Sequence, residues 1–367
     1  MKGFKELTSI LGENVAMSKF RLECLAILIL SLIVANTTNL KRLCLVFDTG
    51  TKRDSRYRRL QRFFAEVEFD LDKLGLFLVS LFFESNDAMH LILDRTNWKY
   101  GKANVNILVL AAVYRGVAIP IRWKLLDKQG NSNTEERIEI VSDFITVFGS
   151  DRIATLLGDR EFIGKEWFEF LQNRGISFVM RIKENTLVVN KGTETHVRNL
   201  FLDLATGQKR ILRNPRSIWG LDVYLSAVRS QDGTLVIVAT MDSEIDALTL
   251  YGYRWEIESL FSCLKGRGFD FEETRITQPG RIATMLAVLA IGFAWAHKTG
   301  EWVAENIKPI TIKKHGRMAQ SFFRYGIDVI KATIFSQVVN VGDWKILLSL
   351  IRTHIAPIAR NANFSGI

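Results

Sequence analysis

At 367 residues the chain is long enough to bury a sizeable core and to hold more than one structural unit. Its 49 lysines and arginines against 39 aspartates and glutamates leave a formal net charge of +10, which suits a polyanionic partner, nucleic acid or anionic lipid. Three widely spaced cysteines (Cys24, Cys44 and Cys263) read as reduced thiols of a cytosolic protein. With five scattered histidines they give no zinc pattern, which argues against a zinc hydrolase or a histidine-based nuclease.

The first 85 residues read as all-helical, with a very apolar helix near 20–35 and another at 71–83. Between them Lys52, Arg53, Arg56, Arg58, Arg59 and Arg62 form the densest basic stretch of the chain. On a helix Arg56, Arg59 and Arg62, or alternatively Arg58 and Arg62, share a face interleaved with Tyr57, Phe63 and Phe64. That face suits a DNA-contacting element of a helix-turn-helix-like domain or an ordinary solvated helix; the scarcity of acids around it favours DNA. From about residue 86 the pattern becomes β-rich. Segments 90–94, 105–114 and 117–126, with turns at Tyr100-Gly101-Lys102 and Arg115-Gly116, predict a three-stranded antiparallel meander. A helix at 134–148 follows, then a strand ending at Asp159, a helix at 165–173 and a strand at 177–182. Short β-like pieces at 186–190, 209–212, 221–229 and 234–241 predict a β-rich insertion. Beyond residue 265, Gly266-Arg267-Gly268 and a Thr277-Gln278-Pro279-Gly280-Arg281 turn lead into an apolar helix reaching about residue 302. The tail regains charge at Lys308, Lys313, Lys314, His315 and Arg317, which suits DNA backbone and solvent equally. The longest apolar runs, 24–35 and 285–296, are about a dozen residues each and too short to span a bilayer. Met1 to Leu7 carries two lysines, but no small-residue cleavage site follows, so no signal peptide is expected. Gly158-x5-Gly164-Lys165 imitates a phosphate-binding loop, but it has one residue too many between the glycines and Glu166 where Ser or Thr would ligate magnesium.

The chemistry concentrates in three acidic groups. Met89 to Asp94 and Ile153 to Asp159 are short, mostly apolar runs that each end in a carboxylate, as buried strands would. Were the two strands neighbours, Asp94 and Asp159 would repel each other unless a cation sat between them. Taken singly, each aspartate also suits an ordinary strand end or turn. The third group lies in Tyr251-x2-Arg254-x3-Glu258-x6-Lys265, four residues that on one helix fall within an arc of about 60°. Ile257, Leu260, Phe261 and Leu264 form the adjoining apolar face. A helix docked by that face would hold Glu258 at the edge of a core, with Arg254 one turn below and Lys265 two turns above. Spacing alone allows a solvated stripe with i,i+4 ion pairs just as well. Three acids together suffice for a pair of magnesium ions and in-line phosphoryl transfer.

These residues resemble the DDE transposases of bacterial insertion sequences, in the large family marked by a Tyr-Arg-Glu-Lys signature. Asp94-Arg95-Thr96-Asn97-Trp98 and Gly158-Asp159-Arg160-Glu161-Phe162 are similar to the blocks around the first two catalytic acids. Tyr251, Arg254, Glu258 and Lys265 match the signature, with Glu258 the third acid. The runs Tyr57 to Phe64 and His315-Gly316-Arg317 also look like family features, and the resemblance covers most of the chain. It implies an α/β fold: an RNase H-like core of mixed sheet flanked by helices, interrupted by the β-rich insertion and preceded by the helical DNA-binding domain. The implied units are 1–85, 86–185, 186–246, 247–305 and a helical region at 306–367. First and fourth strands are neighbours in such a core, which would bring Asp94 and Asp159 together. The resemblance further implies binding of terminal inverted repeats, cleavage of the element ends and joining to target DNA. Asp94, Asp159 and Glu258 would hold two magnesium ions, with manganese an admissible substitute; one ion activates water or the 3′-hydroxyl and the other stabilises the leaving oxygen. Arg254 and Lys265 would bind DNA phosphate, Tyr251 would contact backbone or orient Glu258, and Arg56, Arg59 and Arg62 would touch DNA in the N-terminal region. A homodimer on paired ends, in the bacterial cytoplasm and on the nucleoid, with no membrane partner, completes the expectation. Related enzymes that form DNA hairpins can carry a tryptophan for a flipped base in the insertion; here Trp219 stands early in it, where packing is the favoured role. The rival readings are a domesticated DNA-binding protein and an RNase H-like metal nuclease without strand joining.

Overall fold

Of the 367 residues, the computed structural model describes 3–46, 50–314, 316–335 and 341–352. Its frame is set by three long strands, β1 (Met89–Tyr100), β2 (Ala103–Tyr114) and β3 (Val117–Leu125), joined by tight turns into an antiparallel meander. The turns fall at Gly101 and Gly116, both in the left-handed region that glycine adopts without a steric penalty. Next comes α6 (Thr134–Phe148), which starts at a capping box. The Asn133 side chain accepts from the Glu136 backbone N–H, and the Glu136 carboxylate accepts from that of Asn133. The chain then returns through β4 (Ile153–Gly158), parallel to β1, and through α7 (Lys165–Asn173) and β5 (Phe178–Arg181), parallel to β4. The resulting order, β3-β2-β1-β4-β5 with β2 antiparallel to its neighbours, is the mixed sheet of an RNase H-like fold.

Residues 186–246 do not stand apart from this sheet. They hold β6 (Leu187–Asn190), β7 (Thr193–His196), β8 (Lys209–Ile211), β9 (Arg216–Ile218), β10 (Leu221–Arg229) and β11 (Leu235–Thr240). β11 pairs antiparallel with β5 and β10 with β11, so the core sheet continues into this segment. The physical reason is the free edge of β5, whose unpaired backbone groups are satisfied by β11.

Helices cover both faces. On one side α6 and α7 bury Phe144, Trp167 and Phe168 against the β1 and β2 side chains Leu91, Leu93, Leu108 and Leu110. On the other lie α1 (Phe4–Asn14), α2 (Lys19–Ala35), α3 (Leu40–Val46), α4 (Arg53–Glu66) and α5 (Leu71–Ser80). They share one continuous apolar core with α8 (Ala247–Gly252), α9 (Trp255–Leu264), α10 (Pro279–Asn306), α11 (Phe322–Phe335) and α12 (Val341–Ser349). The N-terminal helices are thus packed on the helical layer of the sheet. α2 explains why: every residue from Cys24 to Ile33 is buried, and a helix apolar all round needs neighbours on every side. α10 runs through the middle of this layer. At 28 residues it is long and apolar enough to cross a membrane by length and composition, longer than the dozen-residue run that the sequence suggested. Yet 78% of its most apolar window is buried inside the protein, the position of a core helix.

Candidate active site

The strand half of the site comes from the register of β1 and β4. Parallel pairing matches Leu91 with Leu156, Ile92 with Leu157 and Leu93 with Gly158. The next residue on each chain is an aspartate, so Asp94 and Asp159 emerge at the same level of neighbouring strands. Asp94 is not at a strand end, as the sequence suggested. β1 continues to Tyr100, held by β2, and Asp94 pairs with Val109; the strand that ends here is β4, at Gly158. Asp159 turns out of the sheet, its Oδ1 accepting from the Glu161 backbone N–H at 2.7 Å. Gly158 allows this tight exit, because a Cβ there would stand 2.6 Å from the Met180 sulfur and 3.1 Å from Phe162 Cβ.

The helix half differs from a single stripe. Tyr251 lies in the last turn of α8, the chain turns at 253–254, and α9 begins at Trp255 with Arg254 as its N-cap. Glu258 sits in the first turn of α9, and Lys265 is the residue that closes it, with φ −91° and ψ −145°. The apolar face is as expected where the helix is regular. Ile257, Leu260 and Leu264 are buried, and Phe261 is half-buried against the pocket. The break reorients Tyr251, whose buried ring lies under the Arg254 guanidinium (5.9 Å to the centroid) and whose hydroxyl has Arg181 beside it.

Asp94, Asp159, Arg254, Glu258 and Lys265 line one open pocket of about 560 Å³. Tyr251 is outside its lining. Arg254 is the keystone: its Nη1 donates to Asp94 Oδ2 at 3.0 Å and its Nη2 to Glu258 Oε1 at 2.9 Å, with only 9% of its side chain exposed. The guanidinium is also stacked on Trp255, 4.9 Å from the ring centroid. Lys265 stands 5.3 Å over the Trp98 ring and pairs with Glu272 at 2.8 Å. Burial pushes the Asp94 carboxyl up to about 6; the Arg95 backbone N–H and Arg254 oppose the rise, and Asp159 and Glu161 add to it.

The residues fit a hard divalent cation by donor chemistry. Three carboxylates face one pocket, and the most buried of them, Asp94, is pushed toward its uncharged form by burial and, to a lesser extent, by Asp159 and Glu161. Among the described residues no three His, Cys, Asp or Glu side chains stand close enough to enclose an ion, and Arg254 bridges Asp94 and Glu258. The cation that the structure places beside Asp94 is Arg254, shared with Glu258 and not with Asp159, the neighbour expected from the sequence.

Sequence reasoning left several pocket residues without a role. Arg95 and Glu161 form a half-buried pair at 3.0 Å that ties β1 to the turn after Asp159; Arg95 also donates to Asn106, and Ser132 donates to Glu161 through backbone and hydroxyl. Their signal was position, since each lies within two residues of an acid. Thr96, Ser262 and Arg267 also line the pocket.

The basic helix α4 splits. Arg59 turns inward, its guanidinium 4.4 Å over the Phe20 ring and beside the Cys24 thiol, and Arg56 is half-buried, whereas Arg58 and Arg62 are exposed. Leu60, Phe63 and Phe64 seat the helix, and their face draws in the arginines at positions 56 and 59. Trp219 is 36% exposed and packs edge-on against Phe168, 5.6 Å between ring centroids. His315 lies outside the described residues.

Carboxylates on adjacent parallel strands of an RNase H-like sheet, facing a third on a helix, define a phosphoryl-transfer class of site. A family model described as the transposase DDE domain matches residues 85–293, which is more than half of the chain and spans all three acids. The chain belongs to that transposase family, whose members cut and move DNA with divalent metal ions. Curated proteins contain no match to it. Among solved structures it is similar to a piggyBac transposase in a synaptic complex with hairpin DNA, at 10% identity and a TM-score of 0.47, covering 93% of this chain and 78% of that one. Human ENDOV is 13% identical with a TM-score of 0.24, over 59% of this chain and 93% of that one.

Proposed function

We propose that the chain is the transposase of a bacterial insertion sequence. In this reading it binds the terminal inverted repeats of its own element, cleaves the ends and joins them to target DNA. The observation that carries the proposal is the gathering of Asp94, Asp159, Arg254, Glu258 and Lys265 around one pocket, with Arg254 bound to two of the acids. These are the residues of the Tyr-Arg-Glu-Lys signature and of the two upstream blocks, Tyr251 excepted.

Asp94, Asp159 and Glu258 hold magnesium. When bound there, magnesium would supply charge neutralisation at the scissile phosphate and activation of the attacking water or 3′-hydroxyl. Arg254 reaches a phosphate through two parallel hydrogen bonds, and to do so it leaves one of its carboxylates. Lys265, steadied by the Trp98 ring, contributes a point charge from the far end of α9, and Arg267 adds a second cation next to it. Tyr251 acts as a support for Arg254 from beneath. End recognition belongs to the N-terminal helices, with exposed Arg58 and Arg62 the better-placed contacts of α4. Two ends cut and joined together call for a homodimer, in the cytoplasm and on the nucleoid.

The test uses a duplex ending in the repeat found beside the gene, with magnesium or manganese. Asp94→Asn, Asp159→Asn and Glu258→Gln each lose cleavage below detection while retaining end binding, since an amide is a far poorer ligand for a hard cation. Full cleavage by any one variant overturns the site. Cleavage without joining by the wild type would instead favour a metal nuclease.

A further inference from the structure

Two sequence features that the carboxylate pocket leaves unused meet in a second cleft. The run Tyr57 to Phe64 on α4 forms one wall, and the Thr277–Arg281 turn at the start of α10 forms the other. The cleft measures about 230 Å³ and is lined by Lys41, Tyr57, Gln61, Thr274, Arg275 and Arg281 among others, with no acid in its lining. Three observations converge on it. Lys41, Arg275 and Arg281 form no ion pair with any described residue, so three cations face one space without a counter-charge. Thr274 is only 4% exposed, and its hydroxyl has no hydrogen-bond partner. A buried hydroxyl left unpaired is costly, and here it borders a cation-lined cleft. The third is the N-terminus of α10, a 28-residue helix whose Gln278 makes no side-chain cap, so the Gly280 and Arg281 N–H groups have no capping partner, while that of Ile282 is bound to Gln278 O.

We propose that this cleft holds a backbone phosphate of duplex DNA, at a site separate from the carboxylate pocket. The proposal rests on the reading of the protein as a DNA-binding transposase. An extended polyanion is favoured over a free phosphate because the connection 266–278 joins the two sites. It leaves the carboxylate pocket at Arg267 and reaches the cleft at Arg275. The connection is pinned by Lys265 to Glu272 at 2.8 Å, by Arg42 to Glu273 at 3.1 Å, and by the Thr38 hydroxyl donating to Asp270 O at 2.9 Å. One strand bound in the carboxylate pocket therefore has a fixed path toward the cleft, with Arg267 at one end and Arg275 at the other, and along it Glu272 and Glu273 are neutralised by Lys265 and Arg42.

The full-length protein is assayed by fluorescence anisotropy with a labelled 30-base-pair duplex of arbitrary sequence, across a salt series. The triple variant Lys41→Gln, Arg275→Gln, Arg281→Gln lowers affinity and reduces the log–log salt slope by about one for each phosphate no longer neutralised. Thr274→Val discriminates further. In the free protein its melting temperature equals or exceeds that of the wild type, because an unpaired buried hydroxyl is removed. Its duplex affinity nevertheless falls several-fold. Unchanged affinity and slope in the triple variant overturn the proposal, as does a Thr274→Val protein that binds duplex normally. A triple variant that loses only a thermal shift caused by inorganic phosphate, with duplex binding intact, also overturns it and assigns the cleft to free phosphate. Asp94→Asn serves as the control for the underlying reading. If that variant binds duplex but does not cleave, the transposase reading stands whatever the cleft variants do. A wild type that binds no duplex ends both.

Discussion

Asp94 in the pocket and Glu301 within the helical layer are both largely withdrawn from water, and they titrate in opposite directions. Glu301 has 4% of its side chain exposed. Burial works against its charge, but Lys298 and the Tyr114 hydroxyl outweigh it and hold the carboxyl below the usual range; Arg115 also pairs with it at 2.6 Å. Asp94 has 16% exposed, and its carboxyl rises to about 6, because burial is joined by Asp159 and Glu161 while Arg254 is shared with Glu258. The lesson is one of charge balance. Glu301 is saturated with cations and serves the fold; in the pocket, Asp94 has only the Arg254 guanidinium against it, and that guanidinium is shared with Glu258. A site arranged so has a use for an added divalent cation and for a phosphate that draws Arg254 away.

The largest break in this comparison is expected at Arg254. Arg254→Gln leaves Asp94 without its counter-ion, which should cost about 3 kcal/mol of stability in metal-free protein. It should also lower cleavage at least about 100-fold, the scale for losing one preorganised donor to a transition-state charge. Arg254→Lys keeps the charge but cannot span two carboxylates, so cleavage falls clearly with a smaller loss of stability. Paired melting and cleavage assays decide; normal cleavage by both variants would reduce the bridge to a surface ion pair.

A second, intermediate effect lies in the helical layer. His297 is 3% exposed, and neither ring nitrogen has a hydrogen-bond partner. Burial lowers its pKa to about 4, with Glu301 opposing the shift and Lys298 and Arg115 adding to it. Because the unfolded chain takes up this proton near pH 6.5, stability is present above that value and is lost as pH falls toward 4. The loss attributable to His297 is at most about 3 kcal/mol. Urea midpoints at pH 7.5 and 5 should therefore diverge less in His297→Gln than in the wild type. Equal divergence would show that the imidazole is not held neutral.

The smallest effect is expected at Lys265. Its contacts are an aromatic face and a half-exposed Glu272, so Lys265→Ala should change folding stability by no more than about 1 kcal/mol. Its loss should weaken engagement of a cleaved end in the pocket while leaving recognition of the terminal repeat unchanged. Equal weakening of both would place Lys265 outside the pocket's phosphate contacts.

The amino-acid sequence by itself determined the parts governed by local pattern. Apolar runs bounded by turn residues marked β1 to β5, and the box at Asn133 and Glu136 began α6 where expected, because caps and alternation are short-range physics. The three acids stood out for local reasons too, Asp94 and Asp159 as polar residues closing apolar runs and Glu258 by its helical spacing from Arg254 and Lys265. Tertiary structure decided the rest. It let β1 run past Asp94 by giving it β2 as a partner, and it carried the sheet from β5 into β11, because hydrogen bonding between strands depends on which edges meet. It broke the stripe between Tyr251 and Arg254, where 100° periodicity cannot see a turn, and so took Tyr251 out of the pocket. It also turned Arg59 inward onto Phe20. Above all it placed Arg254 between Asp94 and Glu258, 160 residues apart along the chain in the first case and four in the second. Charge balance is a sum over everything nearby in space, and only the folded chain brings those terms together.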